Sequence, residues 1–376
     1  MKELLLIPGP TPVSEEVLSA LSKDTIAHTD DRFAKIMTSA LEKTKKLFGA
    51  ENAFPFIISG SGTLGMEMAL TNVLNEGENL LVLSHGFFGD RFVEIGKTLN
   101  ANVELLKAPA GETVPLDTIK NVLSKRHFHA LTITHVDTST GTLADVEAIV
   151  KVAQEVSPET LIIVDGVCAT GGVEERFDQW RIDVIFTGSQ KALAVPPGLT
   201  LLAFSERAIE KRKAMSKVRT YYGDILRWMP IMEDPHKYFA TPAVNMVYAL
   251  EKSLSNIMAF GLTAYFEKHT RMAAKVRAAL TAASFELLSK HPAPTLSVFK
   301  YPEGIEDGAF RSRLAAKKVI VASALAELQG KAFRMGHMGS VTEDELFVAI
   351  KKVLEVCEEL GFKLDKGLVL NAFLEA

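Results

Sequence analysis

The chain has 376 residues, of which 47% are hydrophobic and 23% are charged, with a formal net charge of −4. This length suits a large core and about two domains, and the weakly negative charge gives no reason to expect nucleic acid or a membrane as a partner. Cys168 and Cys357 lie far apart in no CxxC pattern, which excludes a disulfide framework and a cysteine-based metal site, so no metal is expected. No apolar stretch reaches the roughly 18 residues of a membrane helix, and the apolar run before Pro8 is too short for a signal peptide, so we expect a cytoplasmic protein.

The first fifty residues predict an extended segment followed by two helices. Pro8 and Pro10 stiffen the backbone of residues 1–11. A helix is expected over residues 14–22, because a serine and two glutamates suit a helix start, and a longer amphipathic helix is expected over residues 31–48.

The next part of the chain alternates short apolar runs with helical patterns. Strands are expected over residues 54–58, 79–84, 102–108, 130–136, 160–165, 183–187 and 199–204. Helices are expected between most of them, over residues 66–74, 90–99, 116–125 and 146–156. This alternation predicts an α/β fold with three layers around a mostly parallel, seven-stranded sheet.

The pattern changes after Pro242. Helices are expected over residues 244–269, 272–289, 308–317 and 342–360, and short strands over residues 295–299, 319–321 and 331–335. This mixture predicts a smaller C-terminal α+β domain. We therefore expect a large domain over residues 21–245 and a small one over 246–376, with residues 1–20 packing against the small domain and lining the active site.

Two charged residues follow two of the predicted strands. Asp165 ends one apolar run, and Lys191 comes shortly after the next. In open parallel sheets, ligands bind beyond the carboxyl ends of the strands. A lysine and an aspartate in this position suit pyridoxal 5′-phosphate (PLP), which binds a lysine as a Schiff base and an aspartate through its ring nitrogen. Two solvated charges at strand ends are the alternative interpretation.

A glycine-rich turn follows the first strand of the predicted sheet. Its residues, Gly60 to Gly65, match G-x-G-x-x-G between a strand and a helix, which is also the pattern of a dinucleotide site. A dinucleotide site needs an acidic residue at the end of the next strand, and here that strand ends at Ser84-His85. A phosphate site at a helix N-terminus requires no such acid and is the favoured interpretation, with a purely structural turn as the alternative.

Eight short motifs are distributed over nearly the whole chain. They are, in order, PGPTPV (8–13), SGSGT (59–63), STG (139–141), VDGV (164–167), GSQKAL (188–193), PPG (196–198), TPAV (241–244) and FRMGHMG (333–339). In this order they resemble the class V, fold-type-I aminotransferases of the alanine–glyoxylate and serine–pyruvate group. The resemblance implies the type-I fold of PLP-dependent transferases, PLP as cofactor, and small amino acids and 2-oxo acids as substrates.

The resemblance also implies the catalytic residues and the phosphate site. Lys191 would hold PLP as an aldimine and move the proton of the substrate α-carbon, and Asp165 would keep the ring nitrogen protonated. Ser61, Gly62 and Thr63 would bind the phosphate together with Gln190. The position of Thr63 often carries histidine in the family, so this contact departs from the usual pattern.

Three further positions are expected around the cofactor ring. Phe88 matches the place where relatives stack an aromatic ring on the cofactor, with Phe87 as an alternative. Val167 would press on the opposite face of the ring, and Thr138 would lie near it.

The remaining implied residues bind substrate or reach a second subunit. Arg334 would bind the substrate α-carboxylate with its planar guanidinium, beside the backbone of Pro8 and Gly9. Tyr238 and Thr241 match positions that contact the phosphate in a neighbouring subunit, so the resemblance implies a homodimer with shared active sites.

The favoured hypothesis is an aminotransferase that moves the amino group of serine or alanine to glyoxylate or pyruvate by a ping-pong reaction. Another class V enzyme, such as a 2-aminoethylphosphonate transaminase, is the alternative, and an NAD(P)-dependent oxidoreductase that uses the glycine-rich turn is more remote. Cysteine desulfurases carry histidine where this chain has Gln190. The sequence leaves open the roles of His28, His85, His135 and His337.

Overall fold

The chain folds around a seven-stranded sheet, which is followed by a smaller four-stranded one. The computed structural model describes residues 3–376. Up to the end of the large sheet the elements are β1 (Leu4–Leu5), α1 (Glu15–Leu21), α2 (Asp31–Phe48), β2 (Phe54–Ser59), α3 (Gly62–Thr71), β3 (Asn79–Ser84), α4 (Phe87–Thr98), β4 (Asn102–Lys107), α5 (Leu116–Lys125), β5 (Ala130–Thr134), β6 (Val136–Asp137), β7 (Thr142–Leu143), α6 (Val146–Val156), β8 (Leu161–Asp165), α7 (Phe177–Trp180), β9 (Val184–Gly188) and β10 (Leu199–Phe204). The elements that follow are α8 (Glu206–Ala214), α9 (Ile225–Glu233), α10 (Val244–Phe260), α11 (Leu262–Ala282), β11 (Glu286–Leu287), β12 (Leu296–Lys300), α12 (Asp307–Ala316), β13 (Val319–Ile320), β14 (Ala322–Ser323), β15 (Ala332–Gly336), α13 (Glu343–Glu359) and α14 (Lys366–Glu375).

The large sheet has the strand order β2-β10-β9-β8-β5-β3-β4. All neighbours from β9 to β4 are parallel, and β10 alone runs antiparallel to both of its neighbours. Strands β5, β8 and β9 are buried along their whole length, as expected for strands covered on both faces. The predicted α/β fold with a mostly parallel sheet of seven strands is therefore confirmed.

Two hydrophobic cores account for most of the buried apolar side chains. The larger one surrounds the seven-stranded sheet and includes residues from Val17 to Tyr265. The smaller one lies among the C-terminal helices and strands and includes Leu6 from the N-terminal segment. The predicted domain boundaries at 20/21 and 245/246 stay a prediction. Within residues 3–376, no helix combines the length and the apolarity needed to cross a membrane.

The N-terminal segment connects the smaller core to the large sheet. Strand β1 pairs in parallel with β13, and the N–H of Gly336 donates to the carbonyl of Leu6 at 2.8 Å. Further on, the N–H of Thr11 donates to the carbonyl of Gln190 at 3.0 Å and its hydroxyl donates to that of Lys191 at 2.8 Å. Residues 6–11 therefore run from the C-terminal sheet to the turn that carries Lys191.

Some helix boundaries differ from the sequence prediction. Helix α3 begins at Gly62 rather than at residue 66, because the glycine-rich turn itself forms the first helical turn. The single helix predicted over 244–269 is two helices, which separate at Gly261 with a φ of 91°. Helix α9 was not predicted, and it contains a proline, Pro230, which usually signals a helix end.

Candidate active site

Asp165 and Lys191 lie at the same edge of the large sheet. Strand β8 ends at Asp165, and its parallel neighbour β9 leads into the turn that carries Lys191. Both residues are buried and line a cavity of about 310 Å³, which we call the active-site cavity. Most of the predicted site residues line it, namely Gly9, Ser61, Gly62, Thr63, Phe88, Thr138, Asp165, Val167, Gln190 and Lys191.

The carboxyl group of Asp165 is 3% exposed and has one backbone donor. The N–H of Val167 donates to Oδ1 at 2.9 Å. Burial raises the pKa of this carboxyl to about 7, although the Val167 N–H and the positive charge of Lys191 act in the opposite direction. A cationic group placed beside Asp165 would restore its ionised form, since an opposite charge favours the carboxylate.

The amine of Lys191 points towards the N-terminal segment. Its Nζ donates to the carbonyl oxygen of Pro8 and, at 3.5 Å, to the hydroxyl of Thr138. Burial lowers the pKa of this amine, and the charge of Arg334 lowers it further, against the opposing effect of Cys168. Lys191 therefore loses its proton more readily than an exposed lysine does.

The glycine-rich turn forms the N-terminus of α3. The side chain of Ser61, at the N-cap position, caps no backbone N–H, so the first N–H groups of the helix have no side-chain acceptor there. A Cβ atom on Gly62 would lie 2.8 Å from Cγ2 of Val167, so only glycine lets the helix start come this close to the turn after β8. The arrangement suits an anion at the helix N-terminus.

The side-chain amide of Gln190 borders the same cavity. Its buried Oε1 has no hydrogen-bond partner within residues 3–376. Because the oxygen and nitrogen of an amide exchange places by a 180° flip, this position can also present an N–H donor.

The two candidate ring-stacking residues differ in position. Phe88 lines the active-site cavity, whereas Phe87 is 41% exposed and does not line it. The guanidinium of Arg91 lies 4.8 Å from the centre of the Phe88 ring. Sequence reasoning did not single out Arg91, since one arginine in a helix is usually a surface charge.

Sequence reasoning also missed Asp137, whose buried carboxylate organises the cavity wall. Its Oδ2 accepts the N–H groups of Phe88 at 3.0 Å and Gly89 at 3.1 Å, in the first turn of α4. Its Oδ1 accepts the N–H and the hydroxyl of Ser139 at 2.9 and 2.6 Å. Asp137 thereby fixes Phe88 relative to the STG turn. Its position two residues ahead of that motif was the available signal.

Arg334 reaches the site from β15 in the C-terminal sheet. Its Nε donates to the carbonyl of Ser323 at 2.8 Å, and its Nη1 donates to that of Thr138 at 3.3 Å. The hydrogen bonds of the described residues leave Nη2 without a partner. The guanidinium is thus held next to Thr138, which lines the cavity, and keeps donor capacity for a further group.

Two predicted cofactor contacts lie apart from the others. Tyr238 is 64% exposed, and its hydroxyl is 3.5 Å from that of Thr241. Neither residue lines the active-site cavity of its own chain.

The four histidines without a predicted role lie outside the cavity lining. His85, His135 and His337 are buried, and His135 pairs through Nδ1 with Glu175 at 2.9 Å. Burial lowers the pKa of His85 and of His337. Within the part of the chain that the structure describes, histidine, cysteine and acidic side chains form no group able to hold a metal ion.

Comparison with known proteins places this geometry among aminotransferases. A sequence model described as aminotransferase class-V matches residues 5–327. The chain is 37% identical over 371 residues to an uncharacterised aminotransferase of Methanocaldococcus jannaschii, covering 98% of this chain and 96% of that protein. It is 34% identical over 357 residues to alanine–glyoxylate aminotransferase 1 of Saccharomyces cerevisiae, covering 90% and 92%. The crystal structure of ureidoglycine–glyoxylate aminotransferase from Bacillus subtilis matches with a TM-score of 0.94 and 27% identity, over 100% of this chain and 98% of that one.

Proposed function

The chain belongs to the aminotransferase class-V family, and from this premise we propose that it moves the amino group of a small L-amino acid, serine or alanine, to glyoxylate or pyruvate. The observation that carries the proposal is a cavity lined by Lys191 and Asp165, with Arg334 hydrogen-bonded to the carbonyl of Thr138 at its edge. The names of the yeast relative and of the Bacillus structure both contain glyoxylate, which supports glyoxylate as an amino acceptor.

Enzymes of this family depend on PLP, and the residues around the active-site cavity fit this cofactor. Gly62 leaves room at the helix start for a phosphate, and the amide of Gln190 lacks a partner beside it. Lys191 is a buried amine with a lowered pKa, and Asp165 is a buried carboxyl group with a raised pKa, which a cationic group beside it would lower. When bound, PLP supplies a ring that stabilises negative charge on the substrate α-carbon.

Lys191 is the proposed proton carrier. Its Nζ would hold the cofactor, and its amine would accept and return the proton of the substrate α-carbon. A neutral amine is required for that step, and burial favours it by lowering the pKa. The hydroxyl of Thr138 and the carbonyl of Pro8 keep the amine oriented towards the cavity.

Asp165 is proposed to hold a proton on the ring nitrogen. Its carboxylate accepts a hydrogen bond from the Val167 N–H and can accept a second from a protonated ring nitrogen. In this buried position the attraction between the two charges is strong, so each group favours the charged form of the other.

Arg334 is proposed to bind the substrate α-carboxylate. Two of its donors already hold backbone carbonyls, which orients the guanidinium, and Nη2 remains for the substrate. The backbone of Pro8 and Gly9 forms the neighbouring wall, where a Cβ atom on Gly9 would lie 2.7 Å from Cδ of Lys191. This arrangement suits an anionic group on the substrate.

Tyr238 and Thr241 are proposed to complete the site of a partner subunit in a homodimer. Their exposure and their distance from the cavity of their own chain support this role. Mixing Lys191→Ala protein with Tyr238→Phe/Thr241→Val protein tests it. If sites are shared, each mixed dimer holds one site with both defects and one site with neither. The whole mixture should then regain up to about a quarter of wild-type activity, and isolated mixed dimers up to about a half. No regain on mixing, with subunit exchange verified, would contradict the shared site.

A screen of half-reactions tests the proposed substrates. The yellow, PLP-loaded protein is mixed with single amino donors, and loss of the cofactor's visible absorbance reports amino transfer. We expect serine or alanine to bleach it and glyoxylate or pyruvate to restore the colour. Faster bleaching by 2-aminoethylphosphonate would favour the alternative enzyme, and a protein that takes up no PLP would contradict the proposal altogether.

Replacing Lys191 by alanine gives a direct test of its role. We expect Lys191→Ala to lower turnover by at least about four orders of magnitude, because the proton carrier is lost, while the phosphate and ring contacts retain part of the PLP affinity. Lys213→Ala, which removes an exposed amine, is the matched control. Near-normal turnover in Lys191→Ala would remove this residue from the mechanism.

A further inference from the structure

We propose that Arg91 is a further cofactor-binding residue, which holds the phosphate of PLP together with Thr63. The inference rests on the proposed function, because the phosphate belongs to that cofactor. Arg91 lies in the first half of α4, three residues after Phe88, and lines the active-site cavity. Its Nη1 donates to the hydroxyl oxygen of Thr63 at 3.1 Å, at the N-terminus of α3.

Within the described residues, Arg91 is not paired with a carboxylate, and the glutamates that lie near it, Glu67 and Glu94, line a second cavity beside it. Arg91 forms no ion pair with any residue between 3 and 376, and its neighbour Asp90 is paired with Lys107 at 2.7 Å. A helix N-terminus carries a partial positive charge, so an unpaired guanidinium beside the start of α3 is unfavourable by itself. A phosphate dianion between the two would turn this repulsion into two attractions.

Thr63 supplies the geometry of the contact. A hydroxyl group accepts one hydrogen bond and donates another, so Thr63 can accept from Arg91 and donate to a phosphate oxygen at the same time. Arg91 also retains four N–H donors beyond that bond, enough for a direct contact to the phosphate. The guanidinium stays in place through its position 4.8 Å from the ring centre of Phe88.

A binding experiment separates a phosphate contact from a purely structural one. Full-length protein freed of cofactor is titrated with PLP and with pyridoxal, which lacks the phosphate, for wild type, Arg91→Gln and the control Lys97→Gln. Lys97 lies on the same helix, is exposed and carries the same charge. We expect Arg91→Gln to weaken PLP binding by about 10-fold or more and pyridoxal binding by less than about 2-fold, with Lys97→Gln unchanged for both.

Inorganic phosphate provides an independent readout without catalysis. It should compete with PLP for wild type, and the inhibition constant of phosphate, calculated with the PLP affinity of each variant, should rise by at least about 10-fold in Arg91→Gln. Arg91→Lys keeps the charge, and we expect it to recover part of the affinity; it serves as the second variant if Arg91→Gln folds poorly.

Two results would overturn the inference. Equal weakening of PLP and pyridoxal would mean that Arg91 acts only by holding Phe88, and unchanged PLP affinity would mean that it makes no contact with the phosphate. Failure of the proposed function is distinguishable, because wild-type protein itself would then bind no PLP.

Discussion

At the scale of single residues, the site depends on two buried groups with opposite pKa shifts. Burial raises the pKa of the Asp165 carboxyl to about 7 and lowers the pKa of the Lys191 amine. Both shifts favour the neutral form, which is what desolvation does to any ionisable group. The protein without cofactor therefore holds these two groups in a state that a charged ligand can change.

The Asp165 shift predicts how stability depends on pH in the cofactor-free protein. The ordinary value is 3.8 and the folded value about 7. Between them the folded protein keeps a proton that the unfolded chain has released, so the free energy of unfolding falls as the pH rises through this window. The slope is up to about 1.4 kcal/mol per pH unit from this one group.

Urea unfolding at several pH values between about 4.5 and 8 measures the effect. Asp165→Asn cannot ionise, so we expect its stability to fall less over this range than that of wild type. Asp145→Asn changes an exposed helix cap far from the cavity and is the control. Parallel pH profiles for wild type and Asp165→Asn would show that this carboxyl is not the group responsible.

At the scale of elements, the site is assembled where α3 meets the turn after β8. Gly62 starts the helix, and Val167 follows β8, with no room between them for a methyl group. The glycine-rich turn and the turn after the Asp165 strand thus share one contact, so we expect a change in one to displace the other.

Gly62→Ala should therefore act through Val167. The added Cβ would lie 2.8 Å from a valine methyl group, so the two elements must separate. Overpacking of this kind costs about 1–3 kcal/mol, and we expect PLP affinity to fall by about 10-fold or more.

The double variant Gly62→Ala/Val167→Ala removes the clash. PLP is titrated into both single variants and the double variant, which together form a double-mutant cycle. We expect the loss of PLP affinity in the double variant to be smaller than the sum of the losses in the two single variants. Strict additivity would mean that the contact between α3 and the turn after β8 does not control the site.

The sequence predicted the elements of the large sheet well, because long buried strands and amphipathic helices carry strong patterns. It predicted the start of α3 poorly, since glycines at 60, 62 and 65 suggested a turn rather than a helix. Asp165 and Lys191 were identifiable because the ends of parallel strands meet at one edge. Asp137 could be found only by its place two residues ahead of the STG motif, and Arg91 could not be found, since its contact with Thr63 joins two separate helices.

At the scale of the whole molecule, the active-site cavity lies at the edge of the large sheet, and Arg334 approaches it from the part of the chain that forms the smaller core. Arg334 lies on β15, which packs in the smaller core together with Leu6. Asp165 and Lys191 lie at the edge of the large sheet. The N-terminal segment bridges the two through Leu6 and Thr11. We therefore expect this segment to help position Arg334 relative to Lys191.

Leu6→Ala should therefore change both stability and kinetics. Removing a side chain that is 1% exposed costs about 2–5 kcal/mol, and the loosened segment should also lower kcat/KM. Leu354→Ala is the matched control, because Leu354 is equally buried in the smaller core but lies on α13. Thermal unfolding and steady-state kinetics measure the two effects. Equal kinetics in both variants at a temperature where both are folded would show that the segment does not set the site.

The antiparallel strand of the large sheet has a consequence for how the protein is made. Strand β2, which leads into the glycine-rich turn, has β10 as its sheet neighbour, and Ser59 pairs with Leu199. Leu199 follows Ser59 by 140 residues, so at about 5–20 residues per second this apolar strand waits about 7–28 s before its neighbour is synthesised. During that interval its unpaired edge can pair with other nascent chains. The glycine-rich turn is thus synthesised early, but β2 gains its sheet neighbour only when β10 emerges, so we expect the growing chain to expose this strand edge during that interval.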